Sequence, residues 1–353
     1  TGVQTCALPI CRSNLSYFDN SDHSNYPLVN GVQTDKMFFT NMAMMYGNAY
    51  VTVNGGEVRG VIFGGGEGPY YRQVSEDDRT NAVAMLGSLF GNTQVNIGGN
   101  VIVRDYIFGG GNYSNVYRTG NEKDPMSAGN VTINVSGGEL YGAVLGGGNG
   151  DKDTTKYAYV RSIYPKVAGD VRITLSGGRF VYNSRRPHYI KKRIYGIAAG
   201  GMETCIVRGN TYLTIESNPF DDLLRLNENV NAENDLILCA GGYLKEATVV
   251  GQANLTLNSK NAPKIDRLYA GGIYGPVGST NTKIVSGSAE RVHSTGRFGT
   301  INSGKVAIAV GTPNDDFGLN YTIRIDNLFG GYDLSKTDLK LQGGNVLNIL
   351  RAE

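Results

Sequence analysis

The chain repeats itself at a spacing of about forty residues, and this limits its possible folds more than anything else in the sequence. Gly47 to Gly66 reads GNAYVTVNGGEVRGVIFGGG and Gly129 to Gly148 reads GNVTINVSGGELYGAVLGGG, identical at ten of twenty positions without a gap. The same opening returns as GNTQVNI from Gly91, GDVRITL from Gly169, GNTYLTI from Gly209 and GQANLTL from Gly251, so the starts lie 44, 38, 40, 40 and 42 residues apart. Worn copies follow as GKVAIAV from Gly304, NYTIRI from Asn320 and LKLQGGNVLNIL from Leu339, the last breaking off before a glycine run, as expected of a truncated array.

Aligned, the copies form columns. Gly47, Gly91, Gly129, Gly169, Gly209 and Gly251 make an unbroken glycine column, followed by Asn48, Asn92, Asn130, Asp170, Asn210 and Gln252. Val51, Val95, Ile133, Ile173, Leu213 and Leu255 form an aliphatic column, and Val53, Ile97, Val135, Leu175, Ile215 and Leu257 form another two residues on. Between them stand Thr52, Asn96, Asn134, Thr174, Thr214 and Thr256. Alternation with period two marks a half-buried strand. A second short strand, seen at 61–63, 106–108, 143–145, 197–199 and 268–270, runs into glycines such as Gly64–Gly66, Gly109–Gly111 and Gly146–Gly148. Those runs are expected to supply positive φ at a corner. No helical segment follows them and GxxxxGK[ST] does not occur, so they do not read as a phosphate loop.

One repeat buries too little to hold itself together. A few Val, Ile or Leu side chains contribute roughly 1.5–3 kcal/mol each, against a backbone entropy cost of about 1–2 kcal/mol for every ordered residue. Neighbouring repeats must therefore cover one another. In a parallel β-solenoid the aliphatic columns become a continuous core, and stacked Asn side chains hydrogen-bond along a ladder. The alternative is a kelch-like β-propeller, to which AGGYLKEATVVG from Ala240 and LFGGYDLSK from Leu328 correspond. Two strand signals per repeat, no tryptophan and variable spacers favour the solenoid.

Domain organisation follows from the array. Residues 47–350 hold the repeats, and 11–46 are expected to form an N-terminal cap. Asp35–Tyr46 and Arg79–Phe90 have some helical character, and the earlier one is expected to cover the open end of the first coil. Thr1 to Ile10, TGVQTCALPI, resembles an in-frame translation of a sequencing-library adapter and is left out of fold reasoning, so the natural N-terminus is expected to be missing.

Charge excludes some functions. With 33 basic and 31 acidic residues the net charge is +2, which leaves no electrostatic footprint for nucleic acid. No apolar run reaches the roughly eighteen residues of a membrane-spanning helix. Cys205 and Cys239 lack CxxC spacing and read as buried small side chains or one optional disulfide. His23, His188 and His293 have no partner at metal-ligand spacing, and Asp151-Lys152-Asp153 fits neither an EF-hand nor a GGxGxD repeat, so no metal or cofactor is expected.

The surface candidate is RRPHYIKKR, with Arg185, Arg186, His188, Tyr189, Lys191, Lys192 and Arg193. Arg can grip a carboxylate or sulfate through two parallel hydrogen bonds and Tyr can pack on a sugar face, which suits acidic glycans or host-surface molecules. The alternative is a solvated charged loop. A polysaccharide lyase or glycoside hydrolase on the same scaffold would need convergent carboxylates. The polar columns are Thr and Asn instead, and Asp77-Asp78, Asp221-Asp222 and Asp315-Asp316 fall in spacers without common register.

The GNVTINVSGG…GAVLGGGNG pattern, over roughly Gly47 to Leu350, resembles the Gly-rich parallel β-helix repeats of large surface proteins from gut-dwelling Gram-negative anaerobes. The resemblance implies an extracellular or cell-surface, adhesin-like or glycan-associated protein, with no established catalytic residues to carry over.

Overall fold

The computed structural model describes residues 28–29, 32–33, 45–68, 87–117, 129–151, 164–181, 195–217, 236–259, 265–303, 305–310, 323–330 and 345–349, and every regular element among them is a β-strand. The chain is a parallel β-solenoid. Its first wall pairs Ala49–Val53, Thr93–Ile97, Val131–Leu140, Val171–Phe180, Thr211–Ile215, Thr248–Asn258, Val277–His293, Val306–Val310 and Asn345–Ile349 in that order, each parallel to the next. A second wall stacks Ile62–Phe63, Ile107–Phe108, Ala143–Leu145, Tyr195–Ala198, Leu236–Cys239, Ile265–Tyr269, the later half of Val277–His293, and Ile323–Phe329. Each turn of chain lays one strand in each wall before climbing to the next coil.

Register follows the repeat. Val51 pairs with Val95, Val95 with Ile133, Ile133 with Ile173, Ile173 with Leu213, and Leu213 with Leu255. These residues are at most 6% exposed and belong to one core that runs the length of the stack. The propeller is thereby excluded, since its blades require antiparallel neighbours. Among the described residues the single antiparallel pair is Leu28–Val29 with Val32–Gln33.

Two glycine patterns have different causes. The doublet after the first-wall strand adopts left-handed backbone, with φ of 80° at Gly56, 58° at Gly99, 92° at Gly138 and 83° at Gly178, a conformation that a Cβ disfavours. The runs after the second wall do not. None of Gly64–Gly66, Gly109–Gly111 or Gly146–Gly148 has a positive φ, contrary to the expectation for those corners. They are glycine because successive corners lie on top of one another. A Cβ on Gly110 would stand 2.7 Å from Gly148 N, and one on Gly65 would stand 2.8 Å from Gly111 N. The ladder continues through the corner, where Gly64, Gly109 and Gly146 donate their N–H groups to Phe108, Leu145 and Ala198 at 2.8–2.9 Å. Buried threonines fasten it from inside, as Thr93 Oγ1 donates to Gly109 O at 2.7 Å.

The amide column also works differently from a stack of side-chain amides. Asn48 Oδ1 accepts the backbone N–H of Asn92 at 2.9 Å, Asn92 that of Asn130 at 2.8 Å, and Asn130 that of Asp170 at 2.9 Å. Asp170 then accepts from Asn210, and Asn210 from Gln252. Only an oxygen is needed, so Asp170 substitutes for Asn without breaking the series.

Three sequence expectations change. Met45–Tyr46 and Leu89–Phe90, the ends of the two segments with helical character, are paired strands, because Leu89 enters the core and Tyr46 stacks on Phe90 at 4.9 Å; the rest of both segments lies outside the described residues. Val277–His293 is a complete coil that the repeat alignment passed over. NYTIRI does not open a repeat, since Ile323–Phe329 pairs with 287–293 in the second wall.

Candidate functional site

The basic segment that carries Arg185, Arg186, His188, Tyr189, Lys191, Lys192 and Arg193 lies outside the described residues, but its roots do not. Val181 donates its N–H to Leu140 O at 2.8 Å at the end of the first wall, and Tyr195 opens the second-wall strand opposite Leu236. Residues 182–194 therefore leave and rejoin the coil where the chain passes from first wall to second. The segments 218–235, 260–264 and 311–322 leave at the same place in their coils, between Thr211–Ile215 and Leu236–Cys239, Thr248–Asn258 and Ile265–Tyr269, and Val306–Val310 and Ile323–Phe329. One corner of the solenoid roots four variable segments while both walls stay in register.

The exposed face of the first wall is the other feature of note. One outward column reads Tyr50, Gln94, Thr132, Arg172, Tyr212, Asn254 and Asn281, and the next reads Thr52, Asn96, Asn134, Thr174, Thr214, Thr256 and Lys283. Hydroxyls and amides bridge coils here. Asn134 Nδ2 donates to Asn96 Oδ1 at 2.9 Å, and the Arg172 guanidinium lies 4.5 Å over the Tyr212 ring. Neither column contains a carboxylate. Asp170 beside them pairs with Arg172 at 2.9 Å.

Along the edge of this wall charges alternate between coils. Arg104 donates to Glu57 at 2.7 Å and Arg179 to Glu139 at 2.6 Å, and the Arg104 guanidinium sits 4.5 Å over the Tyr141 ring. The Arg104 hydrogen bond and charge, with Arg59 nearby, hold the Glu57 carboxyl below its ordinary range. These carboxylates brace the stack; each is turned toward a guanidinium rather than toward another acid.

Asp77-Asp78, Asp221-Asp222, Asp315-Asp316, His23 and Lys152-Asp153 lie outside the described residues. His293 lies in the outer column of the second wall, stacked between Tyr269 at 4.9 Å and Phe329 at 4.5 Å. Cys205 and Cys239 are buried free thiols, and burial pushes each up to about 12. Among the described residues no three His, Cys, Asp or Glu side chains gather as a metal site would require, and no helix is long and apolar enough to cross a membrane. Comparison of the chain with protein-family models, with curated proteins and with solved structures finds no match in any of the three.

Proposed function

We propose that the chain is a noncatalytic β-solenoid of a cell-surface or secreted bacterial protein that displays loops for adhesion or glycan binding. The observation that carries this reading is the common corner from which 182–194, 218–235, 260–264 and 311–322 depart. A stack that keeps its register while segments of 13, 18, 5 and 12 residues depart from equivalent places in their coils is suited to display. Loops on a rigid scaffold are where binding residues concentrate. Within that array Arg185, Arg186, His188, Tyr189, Lys191, Lys192 and Arg193 supply the grip for acidic glycans, guanidinium against carboxylate or sulfate and phenol against the sugar face.

A noncatalytic role is favoured because Asp170, Glu57 and Glu139 are tied to Arg172, Arg104 and Arg179. A hydrolase or lyase needs acids facing each other or a substrate bond. The test is a glycan array probed with the whole chain and with a form whose residues 182–194 are replaced by a Gly/Ser segment of equal length. Binding of acidic glycans that disappears with the replacement is the expected result. Release of new reducing ends or unsaturated sugars from any polysaccharide would overturn the noncatalytic assignment.

A further inference from the structure

The first three coils open without a charge. Residues 45–56, 87–103 and 129–138 contain no Lys, Arg, Asp or Glu, whereas the fourth coil brings Asp170 and Arg172 to the same wall. What the first coil turns outward instead is ring, amide and hydroxyl. Tyr46, Asn48, Tyr50 and Thr52 are exposed at alternate positions, while Val51 and Val53 enter the core, as the period of two in a strand requires.

Rings on later coils have their faces covered by a neighbouring coil. Phe90 stacks between Tyr46 at 4.9 Å and Tyr117 at 5.7 Å, and the Arg104 and Arg172 guanidinium groups lie 4.5 Å over Tyr141 and Tyr212. The two rings of the first coil stand clear. Phe90 takes one face of Tyr46, which is still 54% exposed, and Tyr50 is 59% exposed. Four residues apart, they are separated by at most about 14 Å.

The polar groups beside them are arranged to donate. Asn134 Nδ2 donates to Asn96 Oδ1 at 2.9 Å and Asn96 Nδ2 to Thr52 Oγ1 at 3.3 Å, a chain whose members polarise one another and whose last hydroxyl keeps its own proton for an outside acceptor. Asn48 Nδ2 reaches the Tyr50 hydroxyl at 3.4 Å in the same sense. Open aromatic faces next to hydroxyl donors match a pyranose, which offers C–H groups on its face and hydroxyls at its rim. The lack of charge selects a neutral sugar over an acidic one.

We propose that Tyr46 and Tyr50 are stacking platforms for a neutral, extended oligosaccharide laid along the first coil, with Thr52 and the Tyr50 hydroxyl donating to its oxygens. This rests on the glycan-binding reading and adds to it a second surface, apart from the loop corner, for sugars of different chemistry.

The experiment is calorimetric titration of the whole chain with β-1,4-linked hexasaccharides of glucose, xylose and mannose, and with an oligogalacturonate. At least one neutral hexasaccharide should bind. Tyr46→Ala and Tyr50→Ala should each weaken it about fivefold or more, with the parent's melting temperature. Tyr50→Phe, which keeps the ring, should lose less than Tyr50→Ala, and replacement of 182–194 should leave neutral binding unchanged. Neutral binding that ignores both tyrosines, or that disappears with 182–194, overturns the platform. Binding of the oligogalacturonate alone also overturns it and leaves the proposed function standing; if no glycan binds, both fall. Sedimentation that finds a dimer of the parent dispersed by Tyr50→Ala would assign the two rings to a second copy of the chain and overturn the platform as well.

Discussion

Asn130 Oδ1 accepts the backbone N–H of Asp170 at 2.9 Å, one coil away and 40 residues along the chain. The bond spans the height of one coil, so it reads the spacing of the stack. Because the acceptor is an oxygen alone, Asp and Asn are equivalent in this column where Ala is not. Asp170→Asn should cost no more than about 1 kcal/mol, the worth of a surface pair with Arg172. Asp170→Ala should cost about 1–2 kcal/mol more, because the Asn210 N–H loses its acceptor. Urea midpoints of the two variants, compared at equal m-value, check the difference.

Corner glycines should tolerate no side chain. Gly110→Ala forces a methyl against Gly148 N at 2.7 Å and should destabilise by about 1–3 kcal/mol or more. Gly60→Ala, with nothing within 4 Å and no positive φ, should stay within about 0.5 kcal/mol of the parent. Thermal unfolding of both distinguishes close approach from conformational freedom as the reason for glycine.

Thr282 stands in the aliphatic column between Leu255 and Ile308, fully buried, with no partner for its hydroxyl. Thr282→Val keeps the shape and removes the stranded polar atom. It should stabilise the protein by about 1 kcal/mol. A fall in the urea midpoint would show that the hydroxyl has a role.

Alkaline pH should weaken the fold. Cys205 and Cys239 are held neutral up to about 12 by burial, whereas an unfolded thiol ionises near 8.5. Their contribution is complete below the unfolded value and is lost as pH rises toward the folded one. Tyr117, raised from 10.0 to about 12, acts in the same direction. Stability measured from pH 8 to 11 should decline, and more gently in a Cys205→Ala, Cys239→Ala double variant. In the native state neither thiol should react with alkylating reagents at pH 8.

The sequence displays the first wall plainly, since period-two columns and their pairing register coincide residue for residue from Val51 to Leu255. Second-wall strands are legible too, as short apolar runs ahead of glycines. The glycine corners were assigned the wrong cause because left-handed backbone and close approach both exclude a Cβ. Both kinds of glycine recur from copy to copy, so recurrence does not separate them; the stacked backbone does, with Gly148 N 2.7 Å from a Cβ placed on Gly110. The coil at Val277–His293 escaped alignment because Ser279 stands where the other copies carry an amide or acid. Two-residue strands such as Val116–Tyr117 escaped because they precede the aligned motif.

The oxygen ladder has a direction. Each coil offers its acceptor to the coil that follows, from Asn48 to Gln252, and never to the one before. A stack growing toward the C-terminus therefore presents a ready acceptor to each coil that follows, whereas one growing the other way presents backbone donors that wait for the oxygens of the incoming coil. Such a stack is suited to forming vectorially, coil by coil, in the order in which a polypeptide is synthesised or threaded through a narrow exit.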